Sequence, residues 1–173
     1  MVSRLKRLDE ILESNRDIDA FLFTSPATVR YLSGYFYNFE IGPSPFQIVP
    51  AAFFFDRHAN ACLIVADSED TASIDPQIQI IPYESYSFEK PLNHSKNFLA
   101  RLYEVIDKYR NGGWLLGIEP ESLPSNVYKA LFSHYNAMRF IDVSFDMARL
   151  RMIKDDDEIA FIRESVRICD IGQ

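Results

Sequence analysis

The apolar positions of this chain follow two periods in turn. Leu5, Leu8, Ile11 and Leu12 recur at helical spacing within residues 3–15, with charges between them, which predicts an amphipathic helix. Asp17 and Asp19 break that pattern, and 20–24 is a short apolar run of the kind a buried strand shows. Ser25-Pro26 reads as a helix start, because Ser accepts bonds from free N–H groups and Pro fits the first helical position. The short helix over 27–33 ends at Gly34, which can take the left-handed cap geometry. Strands follow at about 47–55 and 61–65, joined by the polar turn 56–60 as in a hairpin. Pro50 cannot donate to a ladder, which places it at an edge or a bulge.

A short helix is expected around 68–73, then a strand over 77–83 in which Ile78, Ile80 and Ile81 sit among polar residues. Phe98, Leu102, Val105, Ile106 and Tyr109 make a strong helical stripe, stopped by Asn111-Gly112-Gly113. A strand is expected over 114–119. Val127, Leu131, Phe132 and Tyr135 mark a helix capped by Ser125, and 138–142 is a last strand. Strands and helices interleaved after an early hairpin imply an α/β fold, with a mixed, mostly parallel sheet and helices on both faces. No internal repeat or low-complexity tract divides the chain, so one compact domain is expected.

Residues 150–163 read as the opening of a long helix. Asp155 precedes Glu158 by three, a capping-box spacing with Asp in place of Ser or Thr. The acids 155–158 lie at the positive end of the helix dipole, where each adds about 0.3–1 kcal/mol, and they read as a solvated face. Ile159, Ile162, Val166 and Cys169 share one side. A helix made to bridge two domains has this pattern, and so has a C-terminal helix docked on its own domain.

Composition narrows the function. At 173 residues the chain has the length of one domain, able to bury roughly 70% of its unfolded surface without disulfides or metal. Lys and Arg number 18 against 25 Asp and Glu, a net charge of −7 that argues against a nucleic-acid partner. Cys62 and Cys169 read as small buried apolar side chains in a reducing compartment. With no apolar leader segment and no apolar run near ~20 residues, a soluble cytoplasmic protein without a membrane partner is expected.

Candidate chemistry is sparse. His58, His94 and His134 have no metal-ligand spacing and read as surface histidines. Asp67, Glu69 and Asp70 lack a calcium-loop frame. There is no nucleophile elbow, and Gly112, Gly113 and Gly117 lie at a helix end, where carbonyls repel phosphate. No catalytic, cofactor-binding or metal residue is assigned. What remains is an aromatic stretch: Tyr31 and Tyr35, then Phe36, Tyr37, Phe39, Glu40 and Phe46, punctuated by Gly42, Pro43 and Pro45. Such a loop either plugs the core or forms a lid or interface, where Glu40 would meet a cation or amine.

Four stretches, in order, resemble one family. They are I-D-A-F-L-F at 18–23, S-P-A-T-V-R-Y-L-S-G-Y at 25–35, L-G-I-E at 116–119, and L-R-M-I-K-D-D-D-E-I with a following I-R at 150–163. Together they resemble the N-terminal domain of the creatinase/prolidase (Xaa-Pro dipeptidase and aminopeptidase P) family. Thr28 stands where that family usually has Asn, and the loop after Tyr35 is unusually aromatic.

The resemblance implies a ribonuclease-H-like α/β sandwich over 1–150. Residues 151–173 would then begin a linker helix to an absent C-terminal pita-bread domain. It implies a parent metallopeptidase whose dinuclear Mn, Co or Zn centre is held by two Asp, one His and two Glu of that second domain, with no cofactor in this fragment. The fragment itself is then inactive, and serves homodimer formation and active-site enclosure through the loop at 35–46. Two alternatives go with it: a protein-binding module of a catalytically dead pita-bread relative, or the N-domain of a creatinase- or ectoine-type amidohydrolase.

Overall fold

The computed structural model describes residues 2–36, 51–85, 87–110 and 114–172, with side chains from Arg4 onward. Its elements are α1 (Val2–Ser14), β1 (Ala20–Phe23), α2 (Pro26–Ser33), β2 (Ala52–Asp56), β3 (Ala61–Ala66) and β4 (Gln79–Tyr83), followed by α3 (His94–Tyr109), β5 (Leu115–Ile118), α4 (Ser125–His134), β6 (Arg139–Asp142), α5 (Ser144–Met152) and α6 (Asp156–Ile171). The strands form one sheet in the order β4-β3-β2-β1-β5-β6. Only β2 runs against its neighbours; the β1–β5, β3–β4 and β5–β6 ladders are parallel.

Every residue of β1 and β2 is buried, which explains why these strands read as continuous apolar runs: both faces of the sheet are covered. The two-residue period then sorts side chains between two cores. Phe21, Phe23, Phe53, Phe55, Leu63 and Val65 pack with Leu8 and Leu12 of α1, Val29 and Leu32 of α2, and Met147 of α5. Leu22, Phe54, Cys62 and Ile64 face the other way, onto Phe98, Leu102 and Ile106 of α3 and Val127 and Leu131 of α4. Gly117 sits where β5 passes under Phe21. A Cβ there would lie 2.5 Å from the Phe21 ring, so the close packing needs hydrogen at that position.

Local chemistry sets several boundaries. Gly34 closes α2 at φ 76°, the left-handed cap expected of it. Asp56 organises the β2–β3 turn, its Oδ1 accepting the N–H groups of His58 and Asn60, both at 2.9 Å. The helix expected at 68–73 is instead a series of turns. Asp70 accepts the Ala72 N–H and Asp75 the Gln77 N–H, both at 2.9 Å, so short acidic side chains take the donors a helix would use.

Two cap expectations also change, and a third cap is one the sequence reading did not name. Ser25 holds the N-cap position of α2, but its hydroxyl makes no cap bond. Ser125 is the first residue of α4, after Pro124 at the cap. Asn93 caps α3 through the Lys96 N–H at 2.9 Å.

The C-terminal part differs most from expectation. The single helix expected to open at 150 is two: α5 ends at Met152, Ile153 is extended at φ −90°, ψ 115°, and α6 starts after Asp155. No residue of α6 is buried, so Ile162, Val166 and Cys169 are exposed and Cys169 is no core thiol. Cys62 is buried. Pro50 and the start of the strand expected at 47–55 lie outside the described residues, as do Asn111, Gly112 and Gly113.

Candidate functional site

The aromatic residues singled out by composition separate. Tyr31 and Tyr35 are 6% and 3% exposed and belong to the core on the α1–α2 side. Phe36 is 62% exposed, with the Arg30 guanidinium 4.4 Å from its ring centre. Tyr37, Phe39, Glu40 and Phe46 lie outside the described residues. Around the end of α2, two of these rings thus fill the core and one faces outward.

Tyr31 also belongs to a polar cluster where α1, α2 and the start of α6 meet. Arg4 and Arg7 lie one helical turn apart on α1. Arg4 donates from Nε to Asp155 at 2.9 Å and from Nη2 to Asp157 at 3.0 Å, and it stands 3.7 Å from Glu158. Its Nη1 donates to the Tyr31 carbonyl at 3.1 Å, and its plane lies over the Tyr31 ring. Arg7 donates to the second Asp155 oxygen and to the Tyr31 hydroxyl, the latter at 3.2 Å. Glu158 turns back to accept the Asp155 N–H at 3.0 Å, closing the capping box.

A planar guanidinium with five fixed donors suits such a junction, because it holds carboxylates in direction as well as distance. The Arg4 hydrogen bond, outweighing the cost of partial burial and aided by Arg7, holds the Asp155 carboxyl below the usual carboxylate range. Three of the four acids read from sequence as a solvated face, Asp155, Asp157 and Glu158, are therefore anchors. Their partners stand about 150 residues away, at |i−j| of 151 and 153, and no local spacing announces the pair.

A second cluster lies at the carboxyl ends of β1 and β5. Glu119 follows β5 and is 7% exposed. Its Oε1 is 3.8 Å from Arg151 Nη1 at the end of α5, and Arg151 donates to the Thr28 hydroxyl in α2. Its other oxygen, Oε2, is buried with no hydrogen-bond partner. Burial pushes the Glu119 carboxyl up; the Thr28 hydroxyl and the Arg151 charge only partly offset this, and Asp142 adds to it. Thr28, the departure noted in the second motif, is thus the link between Glu119 and Arg151.

Neither cluster is built for bond-breaking. The carboxylates of the first are engaged by guanidinium groups, and the second offers one carboxyl beside one cation. Among the described residues, no three His, Cys, Asp or Glu side chains come together as a metal ion would require. His58 lies in the β2–β3 turn, His94 begins α3, and His134 stacks on Tyr103 at 4.2 Å. A groove of about 540 Å³ runs between α1 and α5, lined by Arg7, Ile11, Leu150 and Ile153 among others, beside the first cluster.

Comparison with known proteins agrees with this architecture. The fold matches a dipeptidase from Pyrococcus horikoshii OT3 with a TM-score of 0.70 at 18% identity, over 96% of this chain and 41% of that one. A prolidase from the same organism matches with a TM-score of 0.66 at 23% identity, over 97% and 40%. In sequence, a creatinase from Bacillus sp. (strain B-0618) is 26% identical over 176 aligned positions, which take in 99% of this chain and 38% of the creatinase. This chain therefore spans about two fifths of the length of each of these relatives. The family model described as "Creatinase/Prolidase N-terminal domain" matches residues 4–153, ending at the break between α5 and α6. The chain belongs to the creatinase/prolidase N-terminal domain family.

Proposed function

We propose that this chain is the non-catalytic N-terminal domain of a metal-dependent, Xaa-Pro peptidase-like hydrolase. It serves homodimer assembly and enclosure of an active site carried by a following C-terminal domain. The observation that carries this reading is α6. The helix has no buried residue, yet Phe161, Ile162, Val166, Ile168 and Ile171 lie along it, each at least half exposed. Covering a large apolar side chain is worth about 1.5–3 kcal/mol, so a helix of this composition gains most by packing against a second body. The domain proper is then 1–150, and 151–173 is the bridge. The parent is cytoplasmic, and its dinuclear Mn, Co or Zn centre belongs to the second domain.

The test is a matched pair of assays. The longer protein encoded by the same reading frame, purified with Mn or Co, is expected to hydrolyse an Xaa-Pro dipeptide, and this chain alone is not. Hydrolysis by the isolated chain overturns the reading. So does a downstream sequence lacking the five metal-binding side chains, which leaves a protein-binding module. The creatinase relative favours a second reading, an N-domain of a creatinase- or ectoine-type amidohydrolase. Creatine offered to the longer protein in place of the dipeptide separates the two.

A further inference from the structure

The direction in which α6 leaves the domain is set by charge. Between Met152 and Asp156 the backbone is extended at both Ile153 and Asp155, so nothing helical continues across the break. Beyond the first turn, the polar contacts of α6 stay within the helix: Arg167 pairs with Glu164, and the Ser165 hydroxyl donates to the Phe161 carbonyl. Among the described residues, the side-chain ties from α6 and its cap to the rest of the chain are those of Asp155, Asp157 and Glu158 to α1. On the other side of the break, Arg151 holds α5 to Thr28 and Glu119. An extended segment is thus pinned at both ends by arginine, and the helix beyond it has no buried residue.

We infer that Arg4, Arg7, Asp155, Asp157 and Glu158 form a hinge lock, an ionic joint that holds α6 at one angle and lets it swing about residues 153–155 when the joint opens. One guanidinium, Arg4, bonds Asp155 and Asp157 at once and donates from its third nitrogen to the Tyr31 carbonyl. Two carboxylates held by one rigid fork fix the first turn of α6 in orientation. A single flexible pair would fix only its distance. The groups facing the joint are Arg4 and Arg7 from α1 and Tyr31 from α2, so both charges opposing the acids come from one helix. Because the lock is ionic, salt weakens it, most at the exposed Asp157 carboxylate and less at the largely buried Arg4–Asp155 pair. The inference holds whether or not a second domain follows, since it concerns the angle at which α6 is presented and not what covers it.

Distances between spin labels on the full 173-residue chain read that angle. One label goes on the native, exposed Cys169 and the other on an introduced Ser133→Cys in α4; Cys62 is buried and stays unlabelled. A single narrow distance distribution is expected in low salt. Asp157→Asn with Glu158→Gln, and separately Arg4→Gln with Arg7→Gln, should broaden it by roughly a factor of two, and ~1 M NaCl should broaden that of the unaltered chain by less. Lys6→Gln, exposed on α1 and outside the joint, should leave it unchanged. If the arginine variant fails to fold, the Asp157/Glu158 variant decides, since its altered groups lie on the arm and not in the core. An unbroadened distribution in that variant overturns the lock.

Discussion

The three strands β1, β2 and β3 and the helix α6 are both rich in large apolar side chains, and they are held in opposite ways. In the strands, Phe21, Phe23, Phe53, Phe54 and Phe55 are all within 1% of full burial, each shielded by a helix on its own side. In α6, Phe161 is 72% exposed and Ile171 71%, and among the described residues the attachment is one cluster of ion pairs at the first turn. Burial is non-directional and scales with area, so the strands are stable without any particular angle between partners. Ion pairs with partly exposed carboxylates contribute little stability, with a median of about 0–1 kcal/mol, but they do impose direction. The domain is therefore stable through its sheet and oriented through its charges.

The largest expected effect tests the first half of that contrast. Phe54 lies in the middle of β2, fully buried, with its ring stacked 5.8 Å from both Tyr109 and Trp114. Phe54→Ala should lower the unfolding free energy by about 3–5 kcal/mol, through lost transfer free energy and the cavity left behind. Urea denaturation followed by far-UV circular dichroism measures this. A loss under ~1 kcal/mol would mean that the site collapses freely, and that the close packing described for the central strands does not hold.

How much of this could be read from sequence follows the same division. The strands were legible because burial on both faces leaves a local signature: the runs A-F-L-F and A-F-F-F have no polar face, and β1, β2 and β3 lie where apolar runs predicted them. Gly34 announced its cap through its own conformational freedom. The turns at 67–78 were missed because Asp70 and Asp75 compete for backbone donors, an effect that apolar spacing does not register. Helix α5 was missed because Met147 is its only buried residue, so there is hardly a stripe to find. The joint was invisible for a different reason. Arg4 and Asp157 are ordinary surface residue types, and only the folded chain brings α1 beside α6. Of the seven aromatic-stretch residues, Tyr31 proved part of that joint, although its reading as lid or interface had nothing to do with arginine.

Charge in the two clusters should respond to pH in opposite senses, which sharpens the comparison. Asp155 is held below its ordinary value by Arg4, so its contribution is present above the ordinary carboxylate range and fades as pH falls through the lowered folded value. Glu119 is raised by burial, so the folded state binds more protons than the unfolded state between the ordinary and the raised values. Stability associated with Glu119 is therefore full below the ordinary glutamate value and is lost as pH rises through the folded one. Glu119→Gln removes that titration while keeping the shape. Thermal melts from pH 3 to pH 8 should show the variant equal to the unaltered chain at the acid end and more stable above neutrality, by on the order of 1 kcal/mol or less after screening. A variant less stable than its parent at neutral pH would instead show that the ion pair with Arg151 outweighs desolvation.

The smallest expected effect carries the most weight for α6. Ile162 is half exposed, on a helix with no buried residue. In such a place Ile→Gln exchanges one side chain in water for another, and Gln is slightly the better helix former. The stability of the isolated chain should therefore change by less than about 0.5 kcal/mol, in either direction. The same substitution at Leu102, fully buried on α3, would put an amide in a core with no partner and cost several times as much. Chemical denaturation of Ile162→Gln thus reports on where α6 spends its time. A loss above ~1 kcal/mol would mean that the helix folds back onto its own domain in solution, and the view of α6 as an arm held at its base would fail with it. A null effect leaves its apolar side chains unspent within this chain. In a longer protein the same substitution should then weaken the packing of whatever body meets the helix, without touching the sheet that carries it.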